Sequence, residues 1–201
     1  MQFHRCRICG ETFLGTSAPD RCPFCGAEES HFVLTTEFPE NINDVEISDL
    51  ERTDLVTAIE IELSNARFYR ALGLQRESPK LASAYKRLAS VEAEHCSIFC
   101  KLAGVEKPAD LALPGSARQD WCANIADSLA REQKASAFYA EAASRATTPR
   151  IREVLAAVSA VERDHIELAG VIDLPHAAGL EDDPGGNRRR GEVGIHRAGG
   201  A

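Results

Sequence analysis

The sequence lacks the features that mark membrane and nucleic-acid-binding proteins. None of its apolar runs approaches the roughly 18 residues that a membrane-spanning helix needs, and residues 1–10 are too polar for a signal peptide. The formal net charge is -8, and no stripe of basic residues is available to bind phosphates or an anionic membrane surface. We therefore expect a cytoplasmic protein with neither membrane nor nucleic acid among its partners.

The chain has seven cysteines, which in a reducing compartment are more often thiols or metal ligands than disulfides. Four of them form two Cys-x-x-Cys-Gly motifs, a spacing that predicts one tetrahedral metal site: Cys6, Cys9, Cys22 and Cys25. The glycine after each motif permits a positive φ that turns backbone amides toward the sulfurs. On this motif alone, structural zinc is a commoner occupant than iron. The other three, Cys96, Cys100 and Cys122, are expected to be small core thiols.

Composition divides the chain into four segments. We expect a four-cysteine domain at 1–36, a linker at 37–47, a helical bundle at 48–173 and a disordered tail at 174–201. The sequence pattern of the bundle region predicts four long amphipathic helices. A capping box at Ser48 and Glu51 begins the first helix, and a proline at the first helical position begins the second and the fourth. Residues 105–116 connect to the third helix, and the fourth is predicted to end before Pro175.

An internal repeat runs through the helical region, since Glu132 stands 70 positions after Glu62 and its neighbours follow the same offset. Each half contains one lone glutamate and one Glu-x-x-His motif, which gives six candidate ligands: Glu62, Glu92, His95, Glu132, Glu162 and His165. Within each half, the lone glutamate and the motif lie equally far from the predicted turn, so antiparallel helices bring them face to face. The i,i+3 spacing places the glutamate and histidine of each motif on one helix face.

All four glutamates lie on the apolar stripes of their helices. Buried carboxylates without a cation cost several kcal/mol each, and no lysine or arginine occupies these stripes, so a pair of metal ions is the simplest answer. Di-iron and di-manganese carboxylate bundles use the same ligand set. We assign Glu92 and Glu162 as bridging carboxylates and Glu62 and Glu132 as terminal ones, with one histidine for each metal. Oxygen ligands with imidazole favour iron or manganese.

Together these motifs resemble the rubrerythrin family over residues 1–173. Cys22-Pro23-Phe24-Cys25-Gly26 is similar to the Cys-Pro-x-Cys-Gly motif of rubredoxins, and the use of a one-electron iron centre beside a di-iron site favours iron over zinc. Because the four-cysteine domain comes first, the chain resembles the reversed-order branch. The resemblance implies an all-α ferritin-like four-helix bundle with a small N-terminal rubredoxin-like four-cysteine metal domain.

The resemblance also implies a function. Rubrerythrins are non-haem di-iron peroxidases that protect against oxidative stress by reducing hydrogen peroxide, and in some members oxygen, to water. Electrons come from an NAD(P)H-dependent reductase through the rubredoxin-like iron, and the family implies a homodimer or larger homo-oligomer. No Gly-x-Gly-x-x-Gly or Walker pattern is present, so we expect the pyridine nucleotide on a separate reductase.

The sequence departs from the family pattern at one position. Rubrerythrins typically carry an additional glutamate one turn after the third-helix ligand, where this chain has Ala135, with Asn65 as its counterpart in the first half. The site is thus closer to the ferroxidase centre of bacterioferritins, which leaves ferritin-type iron oxidation and storage as an alternative. Another is a zinc-ribbon adaptor on an idle bundle. Tyr69 and Tyr139, seven residues after their glutamates, either hydrogen-bond the carboxylates or fill the core.

Overall fold

The structure is a computed structural model that describes residues 1–76 and 78–177, with only the backbone described at 169 and 171–177. Within these residues, three short strands precede four helices: β1 (Gln2–Cys6), β2 (Thr12–Gly15), β3 (Phe32–Leu34), α1 (Asp49–Leu72), α2 (Pro79–Ala103), α3 (Trp121–Arg145) and α4 (Pro149–Ala177). The predicted four-helix bundle with a small N-terminal four-cysteine domain is confirmed. None of the described helices is long and apolar enough to cross a membrane.

The N-terminal domain is a small antiparallel sheet with the strand order β2-β1-β3. The chain turns at Gly10 with φ 85° and at Gly26 with φ 78°. In each turn the glycine N–H donates to the carbonyl of the first cysteine of its motif, at 2.8 Å to Cys6 and 2.9 Å to Cys22. The positive φ predicted for both glycines is therefore present, and it folds each motif into a tight knuckle.

The bundle consists of two antiparallel hairpins, α1 with α2 and α3 with α4, which correspond to the two halves of the repeat. The predicted capping box begins α1, because Ser48 Oγ accepts the Glu51 N–H while the Glu51 side chain accepts the Ser48 N–H. Pro79 begins α2, and Gly104, with φ 68° in the left-handed region, ends it. In each hairpin, the helix face with the lone glutamate therefore meets the helix face with the Glu-x-x-His motif.

Two helix ends differ from the sequence expectation. The connection after α2 continues past 116, because Asp120 caps α3 by accepting the N–H groups of Cys122 and Ala123. The prediction that α4 ends before Pro175 is wrong, since the helix reaches Ala177. Proline removes one backbone hydrogen bond, a loss that a helix can accept in its last turn. Residues 178–201 of the predicted tail lie outside the described residues.

The three remaining cysteines have different environments. Cys96 and Cys100 are buried, as expected of core thiols. Cys122 is exposed in the first turn of α3, so the core assignment is wrong for this residue. The reason is its position two residues after the Asp120 cap, on the side of the first turn that faces solvent.

The four-cysteine domain packs on the bundle of its own chain, and the two share one continuous hydrophobic core. Three polar contacts surround this core. Arg150 Nη2 donates to the carbonyl of Arg7 at 2.7 Å, and Lys101 Nζ donates to the carbonyl of Cys9 at 3.2 Å. An ion pair of 2.9 Å joins Arg21 to Asp164. The domain is thereby fixed against α2 and α4, the helices that carry the Glu-x-x-His motifs.

A buried carboxylate joins the beginnings of α1 and α4. Glu51 accepts the N–H groups of Thr147 at 2.9 Å and Thr148 at 2.7 Å, in addition to its capping-box bonds with Ser48. Burial alone raises the pKa of a carboxyl group, but these hydrogen bonds outweigh it and lower the pKa of Glu51 to about 2. One side chain therefore satisfies donors from both hairpins and fixes their relative height.

Replacing Glu51 by Gln should destabilise the bundle by about 1–3 kcal/mol, because the amide presents a donor to backbone donors that have no other acceptor. Urea unfolding at neutral pH measures the loss. Because the folded pKa is lowered, this stabilisation is present above about pH 4.5 and is lost as pH falls through about 2. The control is Glu60→Gln, an exposed carboxylate on the same helix, which should change stability little. Equal unfolding curves for the two variants would contradict the role given to Glu51.

Candidate metal centres

The four cysteines of the knuckles lie together in the buried centre of the N-terminal domain, as the sequence predicted. Cys6 Sγ lies 3.8 Å from Cys25 Sγ, and Cys9 Sγ lies 3.8 Å from Cys22 Sγ. A tetrahedral ion with metal–sulfur bonds of about 2.3 Å has sulfur–sulfur edges of about 3.8 Å, so the four sulfurs are already spaced for one ion. The Glu11 N–H donates to Cys9 Sγ at 3.4 Å, which helps to stabilise a thiolate.

Electrostatics also indicate that a cation belongs among these sulfurs. Hydrogen bonding to Cys22 and burial together raise the pKa of Cys9 and of Cys25. The rise reflects the cost of keeping four buried thiolates charged next to one another. A metal ion removes this cost by neutralising the thiolates.

The six predicted bundle ligands meet inside the bundle in two overlapping groups. One group is Glu62, Glu92, His95 and Glu162, and the other is Glu92, Glu132, Glu162 and His165. Glu92 and Glu162 belong to both, and each presents one oxygen to each histidine. Glu92 lies 3.3 Å from His95 Nδ1 and 3.1 Å from His165 Nδ1, while the corresponding distances for Glu162 are 3.1 and 3.0 Å. The geometry supports Glu92 and Glu162 as bridging ligands.

The lone glutamates lie at the two ends of this cluster. Glu62 approaches His95 Nδ1 at 3.7 Å, and Glu132 approaches His165 Nδ1 at 3.8 Å. Each belongs to one group, as expected of a terminal ligand. Each hairpin thus supplies one lone glutamate, one bridging glutamate and one histidine.

The cluster contains more buried acceptors than donors. Within the described residues, five of its carboxylate oxygens have no hydrogen-bond partner: Glu62 Oε2, Glu92 Oε1 and Oε2, Glu132 Oε2 and Glu162 Oε1. His95 Nδ1 is likewise without one. All four glutamates are buried, so these atoms cannot be satisfied by bulk water. Two divalent ions between the histidines would satisfy all of them, and both this cluster and the four-cysteine site fit iron binding.

The ionisation of the cluster shows how strongly its charges interact. Burial, reinforced by repulsion from Glu162 and Glu92, raises the pKa of Glu62 well above its ordinary value. Burial opposes a charged imidazole, but the same two carboxylates outweigh it and raise the pKa of His95 to about 10. Without metal, protons therefore take the place of the missing positive charge. Metal binding must displace them.

Two buried tyrosines each hydrogen-bond a terminal glutamate of the opposite hairpin. Tyr139 on α3 donates to Glu62 Oε1 at 2.6 Å, and Tyr69 on α1 donates to Glu132 Oε1. In both glutamates the other oxygen is the one without a partner among the described residues. The phenols thus orient each carboxylate with one oxygen toward the cluster.

The positions one turn after the lone glutamates supply no further carboxylate. Ala135 is fully buried, and Asn65 is buried with its Oδ1 accepting from Arg131 Nη1 at 3.2 Å. Asn65 also lines a groove of about 600 Å³ between α1 and α3.

One contact between the two sites could not be predicted from the sequence. His95 Nε2 lies 2.9 Å from the carbonyl oxygen of Cys25, so a ligand candidate of the bundle hydrogen-bonds a ligand candidate of the four-cysteine site. The approach is close because Gly26 packs against Val161, the residue before Glu162; a Cβ at position 26 would lie 2.7 Å from Val161 Cγ1. From the sequence, Gly26 predicted only a turn. Its contact with Val161 on α4 depends on how the N-terminal domain docks on the bundle.

Comparison with known proteins agrees with this architecture. The sequence model of the family described as "Rubrerythrin, rubredoxin-like domain" matches residues 4–33. Reverse rubrerythrin-1 of Clostridium acetobutylicum is 31% identical over 120 residues, which cover 55% of this chain and 66% of that protein, just under two thirds of its length. No solved structure gave a significant match. Both matches, together with a four-cysteine domain N-terminal to the bundle, support the rubrerythrin family and its reversed-order type for this chain.

Proposed function

We propose that this iron protein is a peroxidase that reduces hydrogen peroxide to water, with oxygen as a second oxidant, and protects the cytoplasm against oxidative stress. The observation that carries the proposal is the 2.9 Å hydrogen bond from His95 to the Cys25 carbonyl. It links a site suited to one-electron chemistry with a site suited to two metals. Neither iron storage nor a zinc adaptor requires such a link.

The residues of the bundle have distinct roles in this proposal. We assign Glu62, Glu92, His95, Glu132, Glu162 and His165 as the metal ligands and the catalytic group. Two irons held by these residues would supply two electrons for cleavage of the O–O bond, and an iron held by Cys6, Cys9, Cys22 and Cys25 would return electrons one at a time. His95 faces the carboxylate cluster through Nδ1 and the Cys25 carbonyl through Nε2, so it connects the two sites.

Substrate and electrons approach from different sides. A small polar oxidant would enter from the groove between α1 and α3, which is lined by Asn65, three residues after Glu62. The four-cysteine domain lies against α2 and α4, and an NAD(P)H-dependent reductase would deliver electrons to it. We further propose that the chain forms a homodimer or a larger homo-oligomer, as the family resemblance implies.

The first test is peroxide consumption by the chemically reduced, iron-loaded protein. Glu62→Ala removes a terminal ligand, so peroxide consumption should fall to the rate measured without protein, because one metal loses its own carboxylate. Glu141→Ala, which removes an exposed glutamate of α3 outside that groove, is the control and should consume peroxide like the natural protein. If the natural protein consumes no more peroxide than Glu62→Ala, the proposed function is wrong.

The second test concerns the connection between the sites. Gly26→Ala should slow electron transfer from the four-cysteine iron to the bundle, because the new Cβ would meet Val161 at 2.7 Å and push the knuckle away from His95. Gly10→Ala is a matched control: it replaces the other positive-φ knuckle glycine, at a similar backbone cost of about 1–2 kcal/mol, where nothing lies within 4 Å. Stopped-flow absorbance of the thiolate-iron band measures the rate. Equal rates in the two variants would contradict a role for this contact.

A ferroxidase and storage function is the second candidate, favoured by Ala135 and Asn65, which leave the two half-sites with equivalent ligands. Storage requires a large shell, whereas the peroxidase needs only a small oligomer. Size-exclusion chromatography after incubation with ferrous iron and air should show a small oligomer whose iron content stops near three per chain, the number of ligand groups within the described residues. A large cage with many irons per chain would instead establish storage.

A further inference from the structure

A stack of three aromatic side chains leads from the carboxylate cluster to the protein surface. Tyr69, whose hydroxyl donates to Glu132, stacks on Tyr85 with ring centroids 5.5 Å apart and an interplanar angle of 18°. Tyr85 stacks in turn on Trp121, at 5.9 Å and 18°. Tyr69 and Tyr85 are fully buried, whereas Trp121 is partly exposed. The three stacked rings therefore connect Glu132, a candidate metal ligand, with solvent through successive aromatic contacts.

The stack is present in one half of the repeat only. The equivalent positions of the other half do not form a continuous row of tyrosine and tryptophan rings. Tyr139 corresponds to Tyr69 and hydrogen-bonds Glu62 in the same way. Its aromatic neighbours are Phe99, at 5.3 Å, and Phe138, at 5.6 Å, and phenylalanine is far harder to oxidise than tyrosine or tryptophan. The position equivalent to Tyr85 is Leu155.

The stack lies at the end of the bundle opposite the four-cysteine domain. It belongs to a separate hydrophobic cluster formed by the end of α1, the first half of α2 and the start of α3. The four-cysteine domain instead contacts Lys101 near the end of α2 and Arg150 at the start of α4. A second electron path through the stack would therefore not overlap with the path through His95.

We propose that Tyr69, Tyr85 and Trp121 form an electron-transfer chain that supplies a missing electron to the bundle site when the four-cysteine iron cannot. The inference rests on the proposed peroxidase function. It assigns a redox role to residues that would otherwise be core packing, and it names Trp121 as the surface electron donor.

The electrons balance as follows. Reduction of one H₂O₂ to two H₂O consumes two electrons and two protons, and the two protons come from solvent. When ferrous iron supplies one electron and becomes ferric, Tyr69 supplies the other and passes its phenolic proton to Glu132. An electron then moves from Trp121 through Tyr85 to Tyr69, and the phenol takes its proton back from Glu132.

Trp121 is left as an indole radical cation. Its Nε1 is buried and has no hydrogen-bond acceptor among the described residues, so the N–H proton stays in place at this step. Because part of the ring is exposed, a small thiol in solution can reach it and return one electron; the thiol releases its proton to solvent and becomes a thiyl radical. The chain thereby moves an oxidising equivalent away from the ligands.

Radical spectroscopy can test the chain because the sequence contains one tryptophan and three tyrosines. The iron-loaded full-length protein is titrated with dithionite until the half-reduced metal pair is at its maximum, mixed with H₂O₂ and frozen. Electron paramagnetic resonance should show a tryptophanyl radical, and tryptic mass spectrometry should find oxygenated Trp121. Peroxide consumption is measured in the same mixture.

Variants identify the path. In Trp121→Phe, and in Tyr85→Leu, which copies Leu155 of the other half, the tryptophanyl signal should be lost and replaced by a tyrosyl signal. Tyr139→Phe removes the equivalent phenol of the interrupted path and should retain the tryptophanyl signal per peroxide consumed. Circular dichroism and iron content confirm that each variant is folded and loaded.

The outcomes separate the inference from the proposed function. Peroxide consumption without a tryptophanyl radical in the natural protein, or a radical spectrum unchanged in Tyr85→Leu, would overturn the electron-transfer chain and leave the peroxidase intact. If the natural protein consumes no peroxide, the proposed function fails and the inference fails with it.

Discussion

The burial of four glutamates in one apolar bundle is the constraint on which the rest of the structure depends. Buried carboxylates are costly unless positive charge and hydrogen bonds compensate them. Here Tyr69 and Tyr139 satisfy one oxygen of each terminal glutamate and His165 contacts one oxygen of Glu162, which leaves five cluster oxygens without a partner in the described part of the chain. Only cations between the hairpins would complete this arrangement. The two halves of the duplicated sequence thus form two half-sites that face each other across the position such cations would occupy.

The position of the N-terminal domain follows from the same site. His95 uses Nδ1 toward the cluster and Nε2 toward the Cys25 carbonyl, so docking of the domain also fixes the orientation of a ligand ring. Within the described residues, His165 makes no such contact with the four-cysteine domain. Its side chain remains 10% exposed, whereas that of His95 is fully buried. Two half-sites with equivalent ligands thus become unequal through their surroundings. The aromatic stack from Tyr69 adds a second asymmetry at the opposite end of the bundle.

The sequence was sufficient to predict the helices and the grouping of the ligands because both follow from local spacing. The offset between Glu62 and Glu132 and the capping box at Ser48 need no long-range information. Contacts between elements could not be predicted in this way, because they do not follow from local spacing. The hydrogen bonds of the tyrosines to the opposite hairpin and the approach of Cys25 to His95 depend on how the two hairpins and the N-terminal domain dock. The end of α4 beyond Pro175 and the exposure of Cys122 were mispredicted because a helix terminus is decided by weak terms, one hydrogen bond or one cap.

The central claim is that a thiolate-iron centre serves a pair of irons in the same chain. Metal analysis combined with visible absorbance of protein purified from iron-replete cells tests it most directly. We expect iron in all three ligand groups of the described residues, with a thiolate-iron absorption band that bleaches on reduction. Zinc as the main occupant of the four-cysteine site, or a bundle without bound metal, would contradict it.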